Sequence, residues 1–355
     1  MNLKKNIIYK IIITIINFCI IYGQGTYVKY GWELFEYVVD ARTASLGSAA
    51  IAYNINTIQS TIINPSLINK RIKNISITHQ SRYGGMVNSD LLGIQLGKND
   101  QLINLNFIYQ GITNLPDTRD MLIDWGLDGI FGTNDYGEGN GIIDEGERLD
   151  ASKLRFFSQY QFGFHSAFFI RFFDLPIGIG IKTISYIIDD NSALGMGLDI
   201  GYNKTFNKSS FGFVIKNFPS SGLIWNTGTI EGTTPSFSLG IHHPMKPFKQ
   251  HSIIIHAVGS IEGSFSNANL ESDFKSGIFS LDGSFGFEGS YNDKIMIRFG
   301  KNTVNNLTGG IGLQWEVMGL DYCFLSTSNN IDIKNHHLIS LKLSIDWIIS
   351  KFLKK

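Results

Sequence analysis

Charge is scarce in this sequence: lysine, arginine, aspartate and glutamate make up 17% of the 355 residues, against roughly 25% in ordinary soluble proteins. The 30 basic and 30 acidic side chains cancel, so no basic field exists to gather nucleic acid, and a nucleic-acid partner is excluded. Two cysteines, Cys19 in the N-terminal apolar run and Cys323 alone in a strand-like segment, exclude a disulfide framework and a cysteine metal site. Long apolar runs are missing beyond the N-terminus, so a membrane-embedded chain would have to cross with strands. What the sequence does have is apolar and aromatic mass, 43% and 13%, and 38 glycines. That mixture suits membrane strands better than a charged soluble surface.

The N-terminus reads as an export signal. Lys4 and Lys5 precede an apolar run from Ile7 to Ile21, followed by Gly23 and Gly25, with cleavage expected near Gly23–Gln24. A membrane anchor fits less well, because Lys10 and Asn17 interrupt the run and it falls short of the ~20 apolar residues of a spanning helix. Residues 1–23 are therefore expected to be a signal peptide directing the chain to the outer membrane.

From about residue 71 the chain alternates with period two between Gly, Asn, Asp, Lys and Ser breaks. In 101–109 Ile103, Leu105, Phe107 and Tyr109 oppose Asn104 and Asn106; in 195–203 Met196, Leu198, Ile200 and Tyr202 oppose Gly195, Gly197, Asp199 and Gly201. In 279–291 Phe279, Leu281, Phe285, Phe287 and Tyr291 oppose Ser280, Asp282, Ser284, Gly286, Glu288 and Ser290, and 309–317 and 339–347 repeat the theme. The runs predict strands at 71–80, 91–97, 101–110, 154–166, 176–187, 193–203, 209–216, 235–243, 250–260, 275–290, 294–301, 308–316, 319–326 and 336–347, fourteen in all.

A soluble sandwich with its apolar face inward would alternate in the same way. Three features favour a membrane barrel with its apolar face outward. The runs reach the length a tilted membrane strand needs, and Tyr109, Tyr202, Tyr291, Trp315 and Trp347 fall near strand ends, where a barrel carries its aromatic girdles. Long connections (81–90, 111–153, 188–192, 217–234, 261–274, 302–307, 327–335) fall mostly on one side, and short ones (98–100, 204–208, 291–293, 317–318) on the other. The expected fold is an all-β transmembrane antiparallel barrel of about fourteen strands over 71–347, embedded in membrane lipid and trailed by a tail, 348–355.

Residues 24–70 differ from the wall. Small residues crowd Ala41–Ala52, and Pro65 cannot donate to a ladder, which fits an N-terminal plug or a periplasmic segment. The connection 111–153 exceeds ordinary loops and is acidic. Asn140, Asp144 and Glu147 hold the spacing of positions 5, 9 and 12 of an EF-hand loop, Ile142 could offer its carbonyl, and Glu138 and Asp135 lie upstream, although Tyr136 occupies position 1. Two readings stay open for this loop: a Ca²⁺ site built from Asp135, Glu138, Asn140, Ile142, Asp144 and Glu147, or a solvated acidic surface. No other cofactor is required.

The eight histidines include the pairs His242-His243 and His336-His337, read as strand-end polar residues rather than metal ligands. There is no supported Ser-His-Asp or Cys-His arrangement and no phosphate loop, and the lone carboxylates Asp199, Asp282 and Glu288 read as lumen wall. The chain is read as a non-enzyme.

Ala41-Arg42, then Leu46-Gly47-Ser48-Ala49, then Asn64-Pro65 resemble the N-terminal signature of the PorV/PorQ family, itself related to the FadL-like fourteen-stranded outer-membrane barrels. Gly319-Leu320-Asp321-Tyr322-Cys323-Phe324 and His337-Leu338-Ile339-Ser340-Leu341 resemble the closing strands of that family, and Trp225-Asn226-Thr227-Gly228 with Pro235 its central loop. The match departs at Asn64-Pro65-Ser66-Leu67, where the family has Asn-Pro-Ala-Gly, and the last strand lacks a terminal aromatic unless Trp347 serves. The resemblance implies a component of type IX protein secretion, with secretion-machinery subunits and exported cargo as partners, met through Trp125, Phe131 and Tyr136 of the long loop. The competing implication is a FadL-like transporter of hydrophobic molecules gated by the N-terminal plug. Inner faces rich in Gly, Ser, Asn and Asp tilt the sequence reading toward cargo binding.

Overall fold

The computed structural model describes residues 32–69, 74–98, 101–173, 175–247, 252–265, 272–326 and 335–353; the expected signal peptide lies outside the described residues. In chain order the strands are β1 (Asn74–Arg82), β2 (Val87–Lys98), β3 (Gln101–Asp117), β4 (Leu122–Ile123), β5 (Arg148–Leu149), β6 (Arg155–Phe172), β7 (Leu175–Ile188), β8 (Asn191–Phe206), β9 (Ser209–Lys216) and β10 (Ser221–Trp225). They continue as β11 (Ile230–Thr233), β12 (Ser236–Met245), β13 (Ile253–Phe265), β14 (Phe274–Ser276), β15 (Phe279–Tyr291), β16 (Ile295–Lys301), β17 (Leu307–Gln314), β18 (Met318–Leu325) and β19 (His336–Ser344). All pairing is antiparallel, and the sheet closes where β1 meets β19, from Asn74↔Ser344 to Ser81↔His337.

The wall is a closed barrel of fourteen strands. β9 and β10 share one wall position: β9 pairs with the lower part of β8, Ile200–Phe206, and β10 with its upper part, Ala193–Met196. β11 and β12 share the next position in the same way. β14 folds back on the end of β15, and β4 with β5 forms a separate hairpin inside the long loop. Short turns use residues that accept positive φ: Asn292 and Asp293, at 53° and 54°, make the connection whose twist matches a two-residue hairpin.

The wall is polar inside and apolar outside. On β3, Asn104 and Asn106 are fully buried whereas Ile103 and Phe107 are exposed. On β16, Met296 and Arg298 face in while Ile295, Ile297 and Phe299 face out. A soluble barrel has the opposite sense; an exposed apolar band around a polar interior is a wall solvated by lipid. Among the described residues no helix is long and apolar enough to cross a membrane, and the strands do the crossing.

The described part of the N-terminal segment, 32–69, packs inside the barrel against the inner face of the wall. From Trp32 to Ile68 nearly every side chain is buried. Its turns are short: Leu34–Tyr37, Ala41–Ser45, Ala50–Ala52 and Ser60–Ile63. Asp40 caps the second by accepting from the Arg42 and Thr43 amides, both at 3.1 Å, as an N-cap carboxylate should. Wall glycines mark where the plug backbone touches. A Cβ at Gly178 would lie 2.3 Å from the Ser66 nitrogen, and one at Gly212 would lie 2.4 Å from the Ile51 carbonyl oxygen.

Several sequence boundaries are corrected. The expected loop 81–90 is a tight link over 83–86, because Asn88, Ser89 and Asp90 belong to β2. The loop 217–234 is largely the β10–β11 hairpin, and 188–192 shrinks to two residues between β7 and β8. The last strand stops at Ser344 rather than 347: Ser344 caps a helical turn over Ile345–Ile348 that includes Trp347, so Trp347 is not a strand-terminal aromatic.

Candidate functional site

The lumen has two unlike sides. On one, Arg42 of the plug meets Glu288 of β15 with two bonds, Nε to Oε2 at 2.8 Å and Nη2 to Oε1 at 2.6 Å, and its Nη1 donates to the Ile55 carbonyl at 2.8 Å. Tyr53 donates its hydroxyl to Glu288 at 3.0 Å. Arg298 of β16 completes the carboxylate at 2.6 Å and reaches Asp321 of β18 at 2.8 Å, which also receives Lys342 of β19 at 2.8 Å. Charges buried at this depth hold only when paired and hydrogen-bonded, and this network joins the plug to four wall strands.

On the other side the lumen is apolar. Trp32, Leu34, Phe35, Val38 and Ile62 of the plug pack against Leu91, Ile108, Ile184, Ala193 and Leu223 of the wall. One ladder row carries much of that wall surface, Leu91↔Ile108↔Gly163↔Ile184↔Gly195↔Leu223. Gly163 admits the plug closely, since a Cβ there would lie 2.8 Å from Leu34 Cδ2. The Lys182 ammonium stands 5.6 Å from the Trp32 and Phe35 ring centroids and pairs with Asp199 at 2.8 Å. On the outer face of the same part of the wall lies an apolar hollow of about 980 Å³, lined by Ile77, Leu92, Phe107, Phe164, Leu194 and Met196 among others.

The residues singled out by family pattern divide between plug and wall. Arg42 and Asp321 belong to the ion network. Gly47, at φ 66°, sits where a Cβ would be 2.3 Å from the Lys301 carbonyl oxygen. Asn64 donates to the Ile51 carbonyl at 2.8 Å and accepts from the Ser66 amide at 3.0 Å, and Pro65 rests on the wall glycines 178, 180 and 201. Tyr322 faces outward and bonds His337 at 2.8 Å. Sequence reasoning took Glu288 as lumen wall and passed over Arg298 and Lys342; charged residues on the polar face of strongly alternating runs were the signal available. The expectation of inner faces rich in Gly, Ser, Asn and Asp, without an apolar track, is corrected on the apolar side of the lumen. Leu91 and Ile108 face inward, but each adjoins an outward apolar neighbour, Leu92 or Phe107, which hid them in the alternation.

His242 and His256 lie 2.9 Å apart, nitrogen to nitrogen, and stack on Tyr53. Among the described residues, no three His, Cys, Asp or Glu side chains come together in a way that could hold a metal ion. In the long loop, the residues expected as Ca²⁺ ligands make bonds within the loop. Asp135 accepts from the Asp128 amide at 2.7 Å, Glu138 from the Gly132 and Asn134 amides, Asp144 from the Asn140 side chain at 2.6 Å, and Glu147 from the Gly126 and Asp144 amides, both at 2.9 Å. Asn140 also accepts from the Ile142 amide at 2.7 Å. Asp124, outside the expected set, takes the Gly139 and Gly141 amides, each at 2.7 Å. Phe131 and Tyr136 project from this frame, 75% and 81% exposed, with Trp125 half sheltered.

No protein-family model matches the chain, and no curated protein matches it. Among solved structures it is similar to the Pseudomonas putida toluene transporter TodX, at a TM-score of 0.50 and 10% identity over 86% of this chain and 98% of that one. A TodX monoaromatic hydrocarbon channel mutant gives 0.47 at 11% identity over 88% and 100%. A Pseudomonas aeruginosa FadL homologue gives 0.40 at 11% identity over 86% and 97%. The first of these likenesses supports the barrel fold; identities this low carry no site residue across.

Proposed function

We propose that this barrel passes small apolar molecules across the outer membrane, in the manner of the FadL-like transporters, and is not an enzyme. The observation that carries the reading is the apolar seam between Trp32–Val38 of the plug and the wall row of Leu91, Ile108, Ile184 and Leu223, backed by an apolar hollow on the lipid side of the same wall. A molecule that prefers hydrocarbon to water gains roughly 25 cal/mol for each Å² of apolar surface it buries, and this seam offers such surface inside the barrel. The fold shared with a toluene transporter supports the reading by analogy. Passage requires the seam to open, so Ile108→Trp with Ile184→Trp is expected to slow uptake of labelled toluene by cells producing the full chain. Uptake no faster than in cells lacking the protein would overturn the reading.

A second reading rests on the loop. Exposed Phe131 and Tyr136 on a hydrogen-bonded frame form a surface suited to a protein partner, as a PorV/PorQ-like component of type IX secretion would use. Recovery of secretion subunits or exported cargo from gently solubilised membranes, abolished by Phe131→Ser with Tyr136→Ser, would favour it.

A further inference from the structure

Five cationic side chains are buried among the described residues: Arg42, Arg82, Lys182, Arg298 and Lys342. Four of them are paired with a carboxylate. Arg82 is the exception. It ends β1 at the rim that carries the long loops, and it continues the inward series Ser76, Thr78, Gln80. Only 6% of it is exposed. Its Nη2 donates to the Gln110 side-chain oxygen, and its Nε has no acceptor.

Among the described residues, no carboxylate pairs with Arg82. His336 opens β19 next to β1; it is 8% exposed, stands edge-on to Tyr83 with ring centroids 4.7 Å apart, and its Nε2 has no partner. The groups whose charge acts on Arg82 are the Tyr83 and Tyr37 phenols. Glu33 and Glu36 of the plug act on Tyr37. Tyr37 itself is half-buried. A buried guanidinium with an idle N–H is costly unless something fills the place of its counterion. The planar donor fork of arginine matches an oxyanion in two-point fashion.

We propose that Arg82 and His336 form an oxyanion site at the loop-side mouth of the lumen, taking the carboxylate or phosphate group of a ligand that enters from outside. Arg82 supplies charge and Nε–H, and His336 a second donor through Nε2–H. The proposal stands apart from the transport reading, since it is tested by binding to purified protein and not by uptake.

The experiment titrates the full chain, folded in detergent micelles, with inorganic phosphate and with acetate by calorimetry. Saturable binding of one anion is expected, and which of the two binds identifies the group. Arg82→Gln should weaken binding at least tenfold, and Arg82→Lys less, because charge remains but the fork is lost. Arg119→Gln, in the exposed loop, should leave binding unchanged. If Arg82→Gln does not fold, His336→Ala carries the test with an expected severalfold loss. Absence of saturable binding for both anions, or a folded variant at Arg82 or His336 that binds as tightly as the parent, would overturn the proposal.

Discussion

Arg42 and Glu288, 246 residues apart in the chain, share two hydrogen bonds of 2.8 and 2.6 Å at a point where Glu288 is wholly buried. This pair ties the plug to the barrel, and Arg298 leans on the same carboxylate from the wall.

Removing the carboxylate takes a shared partner from two guanidinium groups at once, leaving Arg298 with Asp321 and Arg42 with the Ile55 carbonyl. Glu288→Ala should therefore lower stability by about 3–5 kcal/mol, the range for breaking one partner out of a buried ion pair. Denaturant unfolding in detergent measures the loss. A change of less than 1 kcal/mol would show that water, and not Glu288, is what satisfies Arg42.

A smaller lesion tests how closely the plug fits. Gly178 lies beneath the Pro65–Ser66 peptide, and a methyl group there would stand 2.3 Å from the Ser66 nitrogen and 2.5 Å from the Pro65 oxygen. Gly178→Ala should cost about 1–3 kcal/mol, as overpacking does. The plug should become open to protease while the barrel keeps its strand content by circular dichroism. Equal protease resistance in parent and variant would mean that the turn is free to move aside.

Much of this fold was legible in the sequence because lipid on one side and a polar lumen on the other impose a strict period of two. Phe285, Phe287, Glu288 and Ser290 announce their faces without help from the rest of the chain. The start of β2 was lost because Asn88, Ser89 and Asp90 are polar on both faces at the rim, where the outer face meets water or headgroups. The ion network was hidden for a different reason. Arg42 in a small-residue turn and Glu288 on a distant strand become partners only when the plug enters the barrel, and alternation says nothing about what fills a lumen. The apolar seam was masked by the same alternation, since Leu91-Leu92 and Phe107-Ile108 read as lipid-facing pairs.

The long loop should be acid-labile. Hydrogen bonds from the Gly141 and Gly139 amides hold the Asp124 carboxyl below its ordinary 3.8, and those from the Ser152 side chain and amide lower Asp150 as well. A carboxyl lowered by folding favours the ordered loop above its unfolded value and loses that contribution as pH falls through the folded one. Trp125 emission should then be constant from neutral pH to about 4 and shift below about 4. Excess chelator at neutral pH should leave that emission unchanged, because Asp124, Glu138, Asp144 and Glu147 are occupied by loop amides and the Asn140 side chain. A chelator-induced shift reversed by Ca²⁺ would instead favour the ligand set Asp135, Glu138, Asn140, Ile142, Asp144 and Glu147.

The outward face decides between a membrane wall and a water-soluble one. Ile297 on β16 is 65% exposed, between the exposed Ile295 and Phe299, and makes no use of the polar interior. On a soluble protein, Ile297→Arg would be a surface change worth no more than about 0.5 kcal/mol. In a bilayer the same guanidinium must be dragged into hydrocarbon, at about 2–4 kcal/mol near the midplane and ~0–1 near the interfaces. Folding titrations into lipid vesicles should show the larger cost at Ile297 and a smaller one for Leu320→Arg, which shares the ladder row of Leu313 and Ile295, two residues nearer the short-turn rim. The inward Ser284→Ala, which removes a hydroxyl bonded to Ser260 at 2.7 Å, should cost only about 0.5–1.5 kcal/mol. The ordering of outward charge above inward truncation follows from lipid as the solvent of the wall; a variant Ile297→Arg as stable as the parent would mean that the apolar band faces water.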